Sequence, residues 1–198
     1  MRTFGYIQSK LTGNEKKLEI PENVKLYDSY DLRKVLDPIR DQGNIPKCVS
    51  CALTDMVRYK MNMGIYKDVN FEDGIFYDTR PNQDSEGMQP IDALNYLVNT
   101  GVGDQKGSIY AMVNDVDTAK YAIITNGPIM SCLLVKSYND DFWNGRRMYG
   151  GHATTLVGYN KDGFILRNSW GEEFGNNGYV IFPFDKFKEG LEYWTLIS

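Results

Sequence analysis

The chain has 198 residues, an apolar fraction of 42% and a net charge of −4, enough for one domain or for two small lobes that share an interface. No run of lysine and arginine is long enough to follow a phosphate backbone, so nucleic acid is not an expected partner. No apolar stretch approaches the roughly 18 residues that a membrane span needs, so a membrane partner is not expected either.

The N-terminus and the cysteines bear on the compartment. The first residues, Met1-Arg-Thr-Phe-Gly-Tyr-Ile-Gln, lack the apolar core of a signal peptide. Three cysteines are too few, and odd in number, for a disulfide framework, and free thiols survive in reducing compartments. We therefore expect a cytoplasmic protein, or a secreted one if a signal has been removed.

The first half of the chain is predicted to be helical after an N-terminal arm, residues 1–30. Residues 1–24 are polar and irregular, and we expect them to lie on the surface. Residues 48–63 are the best helix candidate, since apolar side chains recur there at helical spacing: Val49, Ala52, Leu53, Met56 and Val57. Further helices are predicted to begin near Asn70 and to span residues 90–99 and 117–125.

The second half is predicted to form strands. Short segments rich in β-branched and aromatic residues are separated by Gly, Asn and Asp, and they cover residues 129–135, 153–159, 164–168, 179–182 and 193–197. A helical half followed by a strand half is typical of an α+β protein with two lobes.

The only histidine of the chain, His152, is one of a set of residues that suits thiol hydrolysis. A cysteine thiol is mostly protonated at neutral pH, because its ordinary pKa is about 8.5. At Cys48, the N-terminus of the predicted helix and a neighbouring imidazolium would both lower that pKa. Asn168, on the next strand, would orient the ring of His152, and Trp170 would cover their hydrogen bond. Gln42 and the backbone N–H of Cys48 would donate to the oxyanion of the tetrahedral intermediate.

Several segments, taken together and in this order, carry a family resemblance from about Asp31 to the C-terminus. They begin at Asp31-Leu-Arg, Pro38-Ile-Arg-Asp-Gln-Gly, Cys48-Val-Ser-Cys-Ala, Asp84-Ser-Glu-Gly-Met-Gln-Pro, Asn126-Gly-Pro-Ile, Gly151-His-Ala and Asn168-Ser-Trp-Gly. The chain resembles the papain-like cysteine peptidases (clan CA, family C1), in particular compact bacterial and phage members without disulfides. The resemblance implies a helical left lobe over residues 31–105 and an antiparallel, β-barrel-like right lobe over residues 106–198, with the active site in the cleft between them.

Two alignments of Cys48-Val-Ser-Cys51 with the family's nucleophile segment are open, and the spacing favours one. Counted from Gln42, the nucleophile falls six residues later, at Cys48. If Cys51 were the nucleophile, that loop would contain three extra residues. We therefore assign Cys51 a structural role, and we expect Cys132 to be a core residue of its apolar strand.

The resemblance also implies a cleft for a peptide or protein substrate and a reaction without metal or organic cofactor. Met88, Ile129 and Ala153 are the expected walls of the pocket for the second residue before the cut. Gly87 would pair with the substrate backbone, and Trp170 would line the cleft. This pocket implies a preference for Leu, Val, Phe or Tyr.

The chain departs from the family pattern near the nucleophile and the histidine. Pro46-Lys47 replaces a Gly-Ser pair, Val49 replaces a common Trp, and Gly151 replaces an acidic or small residue. Lys47 would place a cation near the thiolate. No propeptide of family size precedes the matching region, so we expect an enzyme that is made in active form or one that is regulated by the N-terminal arm or by a separate inhibitor.

Three other functions compete with a cysteine endopeptidase. Cys48, Cys51, Cys132 and His152 would make a Cys₃His zinc module, although this hypothesis leaves the Asn-Ser-Trp-Gly segment unexplained. A papain-like fold without activity would serve as a binding protein. The same site residues would also serve a thiol amidase or a deconjugating enzyme acting on a non-protein or tagged substrate.

Overall fold

The computed structural model describes residues 3–62, 80, 86–101 and 109–197, and within them the strands form one seven-stranded sheet. Its order is β2-β7-β3-β4-β5-β6, with β1 beside β4, and every pair is antiparallel. The strands are β1 (Tyr30–Asp31), β2 (Ile109–Met112), β3 (Ile129–Val135), β4 (Gly150–Asn160), β5 (Gly163–Arg167), β6 (Tyr179–Phe182) and β7 (Glu192–Ile197).

The described helices are α1 (Cys48–Asn62), α2 (Pro90–Asn99) and α3 (Val116–Asn126), with 3-10 helices at Arg33–Val35 and Phe184–Glu189. Helix α1 begins after Lys47, whose carbonyl accepts the hydrogen bond of the Cys51 N–H at 2.9 Å. Helix α2 has its proline in the first turn, where the missing N–H is harmless. The Asp115 side chain caps α3 by accepting from the Thr118 N–H.

Most predicted elements agree with the structure to within a few residues. Helix α2 and strands β3 and β6 have the predicted bounds, and α1 begins at the predicted residue and extends to Asn62, the last described residue of that segment. Strands β1 and β2 were not predicted, because they are two and four residues long and take their stability from pairing with β4 and β7. The helix predicted near Asn70 lies outside the described residues.

The expected barrel-like closure of the right lobe is wrong. The path of paired strands ends at β2 on one side and at β6 on the other, so the sheet is open. Within the described ranges, no helix has the length and apolar character needed to cross a bilayer.

Two hydrophobic cores lie on the two faces of the sheet. Helices α1 and α2 pack against one face, where β3 contributes Met130 and Cys132. Helix α3 packs against the other face, where the same strand contributes Ile129 and Leu133. This split follows from the alternation of side chains along a strand. The nucleophile candidate belongs to the first core, because α1 begins there.

A buried ion pair joins α1 to the sheet. Asp55 of α1 accepts from Arg167 of β5 at 2.8 Å, and the arginine side chain is 1% exposed. Arg40, in the loop before α1, also donates to Asp55, at 3.2 Å. These contacts hold the helix that carries Cys48 against the strands that carry the histidine and asparagine candidates.

The polarity of residues 1–24 predicted that the N-terminal arm lies on the surface, but part of the arm is buried. Gly5 and Ser9 are buried, and the Tyr6 N–H donates to the Gly151 carbonyl at 3.3 Å. The first described residues of the arm therefore enter the cleft between helices and sheet.

Candidate active site

Cys48 is the first residue of α1, and its side chain is fully buried. Burial raises the pKa of the Cys48 thiol, while hydrogen bonds from the backbone N–H groups of Ala153, Gly5, Val49 and Cys48 itself act in the opposite direction. In this state the pKa is thus raised rather than lowered as predicted, because the sulfur is withdrawn from water. One of the N–H groups around the sulfur, that of Gly5, belongs to the N-terminal arm.

His152 and Asn168 lie side by side on neighbouring strands, as their positions in the sequence predicted. His152 Nε2 and Asn168 Oδ1 are 2.8 Å apart, and both side chains are buried. The indole of Trp170 stacks on the imidazole, with ring centroids 4.7 Å apart and an interplanar angle of 26°. The Phe142 ring meets the imidazole edge-on at 5.8 Å. This aromatic enclosure keeps water from the bond between histidine and asparagine.

Gln42 is held by the segment that follows Asn168. Its backbone N–H donates to the Ser169 carbonyl at 2.9 Å, and the Ser169 hydroxyl donates to Gln42 Oε1 at 2.7 Å. The remaining amide group, Nε2, donates to the carbonyls of Ile45 at 3.0 Å and of Thr3 at 3.3 Å. A carbonyl oxygen of the arm therefore already accepts from the predicted oxyanion donor.

The arm pairs with both walls of the cleft. The Met88 N–H donates to the Gly5 carbonyl at 2.8 Å, and the Ile7 N–H returns a bond to the Met88 carbonyl at 3.1 Å. On the opposite wall, Tyr6 forms a bridge to Gly151. The arm of the same chain thus occupies the predicted substrate cleft. Gly87 lies so close to the arm that a larger residue there would displace it.

Glycine is required at three points of this passage. A Cβ on Gly5 would lie 1.8 Å from the Pro46 carbonyl oxygen, and one on Gly87 would lie 2.6 Å from the Gly5 carbonyl oxygen. A Cβ on Gly151 would lie 2.2 Å from the Tyr6 ring. The departure from the family pattern at Gly151 therefore makes room for the arm.

The Tyr6 ring packs into a pocket that matches only part of the predicted one. Met88 and Ala153 belong to the core cluster that the tyrosine contacts, as expected. Ile129 does not, because it points to the opposite face of β3 and joins the other core. Side chains alternate along a strand, so the residue of β3 near the pocket wall is Cys132, directly across from Ala153.

Sequence reasoning missed Glu192, which lies at the start of β7 opposite Cys132. Its carboxylate is buried and accepts from the Tyr6 hydroxyl at 2.6 Å, the Ser9 N–H at 3.0 Å and Trp194 Nε1 at 2.7 Å. The available signal was a carboxylate directly before an apolar strand. The predicted strand over residues 193–197 left it out, whereas β7 begins with it.

The cysteines outside the nucleophile position are core residues. Cys51 and Cys132 are buried, with exposed fractions of 1% and 0%. Among the described residues, no group of three or more His, Cys, Asp and Glu side chains is arranged to hold a metal ion, so the Cys₃His hypothesis finds no geometric support there.

Comparison with known proteins gives cysteine proteases as sequence relatives. The family model described as papain family cysteine protease matches residues 104–190. Cysteine proteinase 3 of Entamoeba histolytica is 26% identical, over 91% of this chain and 72% of the relative. Macrodontain-1 of Ananas macrodontes is 35% identical, but the match covers 43% of this chain and 42% of that relative.

Solved structures with the same fold cover nearly the whole chain. Xylellain, a cysteine protease from Xylella fastidiosa, superposes with a TM-score of 0.82 at 19% identity, over 98% of this chain and 96% of that one. Procathepsin B S9 of Trypanosoma congolense gives a TM-score of 0.77 at 16% identity, over 98% and 87%. The predicted α+β, papain-like fold is therefore confirmed, and the sequence relatives support the resemblance to the papain-like cysteine peptidases of family C1.

Proposed function

We propose that the chain is a cysteine endopeptidase that uses Cys48 as its nucleophile. The observation that carries the proposal is the buried hydrogen bond of 2.8 Å between His152 and Asn168. Ala153, which follows His152, lies in the same core cluster as Cys48. Because Asn168 engages Nε2, proton exchange with the thiol falls to Nδ1 of the same ring. The amide oxygen of Asn168 accepts from a protonated Nε2, which fixes the ring in the form that can act as base and then as acid.

The reaction follows as two acyl transfers. The Cys48 thiolate attacks the carbonyl carbon of the scissile peptide bond, and the carbonyl oxygen becomes an oxyanion. When the C–N bond breaks, His152 gives its proton to the leaving amine, and a thioester remains on Cys48. A water molecule, deprotonated by His152, attacks the thioester, which releases the carboxylic acid and returns the thiol.

Gln42 is the proposed side-chain donor to the oxyanion. The hydrogen bond that its Oε1 accepts from Ser169 fixes the orientation of the amide, so Nε2 is the end presented to the cleft. Donors that are positioned before the reaction stabilise developing charge without reorganisation. In the structure, the Thr3 carbonyl holds this donor.

We further propose that the described state is latent and that the arm is its inhibitor. The arm forms backbone hydrogen bonds with Met88 and Gly151 on the two walls of the cleft, and Gly5 also hydrogen-bonds to Cys48. Activity then requires that the arm leave the cleft.

Labelling with an epoxysuccinyl peptide tests the proposal, because the epoxide opens only when a thiolate attacks it. We expect one adduct per chain, by intact mass, in the wild type and in Cys51→Ala, and none in Cys48→Ala. An adduct that disappears in Cys51→Ala but persists in Cys48→Ala would overturn the choice of nucleophile. Peptides produced from an unfolded protein substrate, sequenced by mass spectrometry, should show cuts within the chain.

Gly5→Ala separates a blocked cleft from an inactive fold, because a methyl group on Gly5 has no room beside Pro46. We expect faster labelling of this variant than of the wild type. A folded Gly5→Ala chain that takes no label would support the inactive binding protein instead.

A further inference from the structure

The loop between β3 and β4, residues 136–149, borders the cleft on one side of Cys48. The arm passes the thiol and places the Phe4 ring 5.9 Å from the Tyr138 ring of this loop. On the other side of Cys48 the arm pairs with Met88, an expected wall of the pocket for the second residue before the cut. The β3–β4 loop therefore borders the half of the cleft that is expected to receive the residues after the cut.

Two buried aromatic side chains anchor the β3–β4 loop. Phe142 packs edge-on against His152, with ring centroids 5.8 Å apart, and Trp143 packs against Phe182 at 5.0 Å. The Lys136 N–H donates to the Phe142 carbonyl at 2.7 Å, which closes the loop on itself. The buried residues of the loop therefore hold its exposed ones in place, so a partner that binds there does not have to order the loop first.

The exposed end of the loop carries Arg146, Arg147, Met148 and Tyr149. The guanidinium carbon of Arg147 lies over the Tyr149 ring, 5.1 Å from its centroid, and that ring lies 4.8 Å from the Tyr138 ring. A guanidinium on an aromatic face keeps its N–H groups, which lie in its own plane, for a carboxylate. Aromatic residues, Met and Arg are also the residues that protein interfaces favour.

The charges of these two arginines are not compensated within the described part of the chain, where no carboxylate forms an ion pair with Arg146 or Arg147. Ion pairs with aspartates are formed instead by Arg33, Arg40, Arg58 and Arg167. The carboxylates of the loop itself, Asp140 and Asp141, line a cavity against β5 and β6. In a chain with a net charge of −4, two neighbouring cations without an ion pair favour an anionic partner.

We propose that Arg146 and Arg147 bind acidic residues that follow the cut in a protein substrate. The inference rests on the proposed peptidase function and names its substrate class, which is proteins cut ahead of a segment rich in Asp and Glu. A carboxylate of that segment accepts two N–H groups of Arg147, and the apolar atoms beside it pack on Tyr138 and Met148. Because these contacts lie away from the reacting atoms, they bind substrate and transition state alike and act on KM.

Internally quenched fluorogenic peptides that differ only after the cut test the proposal. Each peptide of the series carries one Glu, at the second, third, fourth or fifth residue after the cut, and the reference peptide carries Gln at all of these positions. In the full chain with Gly5→Ala, we expect the best Glu peptide to exceed the reference about fivefold in kcat/KM at low salt, through a lower KM. In about 1 M NaCl, where the Debye length is about 3 Å, the ratio should fall towards one.

Arg146→Gln together with Arg147→Gln should bring the Glu-to-Gln ratio close to one and leave cleavage of the Gln peptide unchanged. Lys161→Gln with Lys188→Gln is the matched control, because it removes the same charge from exposed positions outside the loop, and it should keep the ratio of the parent chain. An unchanged ratio in the arginine variant, or an equal fall of the ratio in the control, would overturn the proposal. An equal loss for the Glu and Gln peptides would overturn it too, since the loop would then act through Phe142 on the histidine and not on the substrate.

The cut sites in an unfolded protein substrate give a second readout and separate the two proposals. We expect Asp and Glu to be enriched after the cut, and the enrichment to disappear in the double arginine variant. If peptides or protein are cleaved without any preference for acidic residues after the cut, the inference about the arginines is overturned while the peptidase function stands. If neither the peptides nor the unfolded protein are cleaved by any folded variant, the peptidase function and the inference both fall.

Discussion

Two buried carboxylates, Asp55 and Glu192, accept their hydrogen bonds from different parts of the chain. Asp55 accepts from the guanidinium groups of Arg167 at 2.8 Å and Arg40 at 3.2 Å, and from the Thr155 hydroxyl at 3.3 Å. All of these donors belong to the helices, strands and loops of the folded body. Glu192 has one donor of that kind, Trp194, and takes the others from the arm.

The two sets of donors differ in their charge and in the part of the chain that carries them. Two of the partners of Asp55 are charged, and Arg167 is itself buried, so the network holds α1 against the sheet. The partners of Glu192 are neutral, and two of the three lie on the N-terminal arm. The carboxylate would therefore lose most of its donors if the arm moved away.

The largest expected effect comes from making the same substitution at both carboxylates. Asp55→Asn removes the charge that compensates Arg167 and should lower the free energy of unfolding by about 3 kcal/mol. Glu192→Gln keeps neutral hydrogen bonds to neutral donors and should lower it by about 1 kcal/mol or less. Urea denaturation of the two variants and the wild type measures both values. Equal losses would show that the arm contacts are as much a part of the fold as the ion network.

A smaller effect is expected from displacing the arm itself. In Gly5→Ala, the added methyl group meets the Pro46 carbonyl oxygen at 1.8 Å, so residues 3–7 cannot keep their path. Alkylation of Cys48 by iodoacetamide should become about tenfold faster, which corresponds to ~1.4 kcal/mol. Glu22→Ala, at an exposed position of the same arm, is the control and should alkylate at the wild-type rate. A Gly5→Ala rate no higher than that of the control would show that the arm does not limit access to the thiol.

The smallest expected effect is a change in the pH dependence of that alkylation. Burial raises the pKa of the Cys48 thiol in the closed state, so the thiolate, and with it the alkylation rate, appears only at higher pH. Opening the cleft lets water reach the sulfur, and the midpoint of the rate profile should therefore move to lower pH in Gly5→Ala. The same midpoint in both chains would mean that the arm is not the source of the burial.

A further variant tests whether the histidine stabilises the thiolate. His152→Ala in the Gly5→Ala chain should leave Cys48 slow to alkylate at pH 6, since no imidazolium would stabilise the thiolate. Unchanged alkylation at pH 6 would contradict the ion pair of thiolate and imidazolium.

The periodicity of the sequence predicted the elements well wherever they are long or strongly patterned. Helix α2 and strand β3 have the predicted bounds, because Pro90 starts the first and a run that is apolar except for Ser131 defines the second. The two-residue strand β1 carries no pattern of its own and exists only because β4 lies beside it. The barrel-like closure came from the resemblance and not from any periodicity, and the open sheet contradicts it.

The candidate site, like the fold, was predicted only in part. The residues Gln42, Cys48, His152 and Asn168 were identified from residue types and spacing, and the structure brings His152 and Asn168 into contact. Their catalytic roles stay predictions until the variants are measured. The expected wall residue Ile129 lies in a different core cluster from Met88 and Ala153, because an apolar run does not reveal which of its residues face a given side.

The sequence by itself determined the α+β division of the chain, most element bounds and the set of residues that can perform thiol hydrolysis, because these depend on local pattern and on the kinds of side chain present. Only the tertiary structure decided that residues 3–9 enter the cleft, that Cys132 rather than Ile129 faces the pocket, and that Glu192 lies buried there. The physical reason is that each of these facts depends on contacts between segments far apart in the chain. The Tyr6 hydroxyl and the Glu192 carboxylate, 186 residues apart in sequence, meet at 2.6 Å in the folded chain.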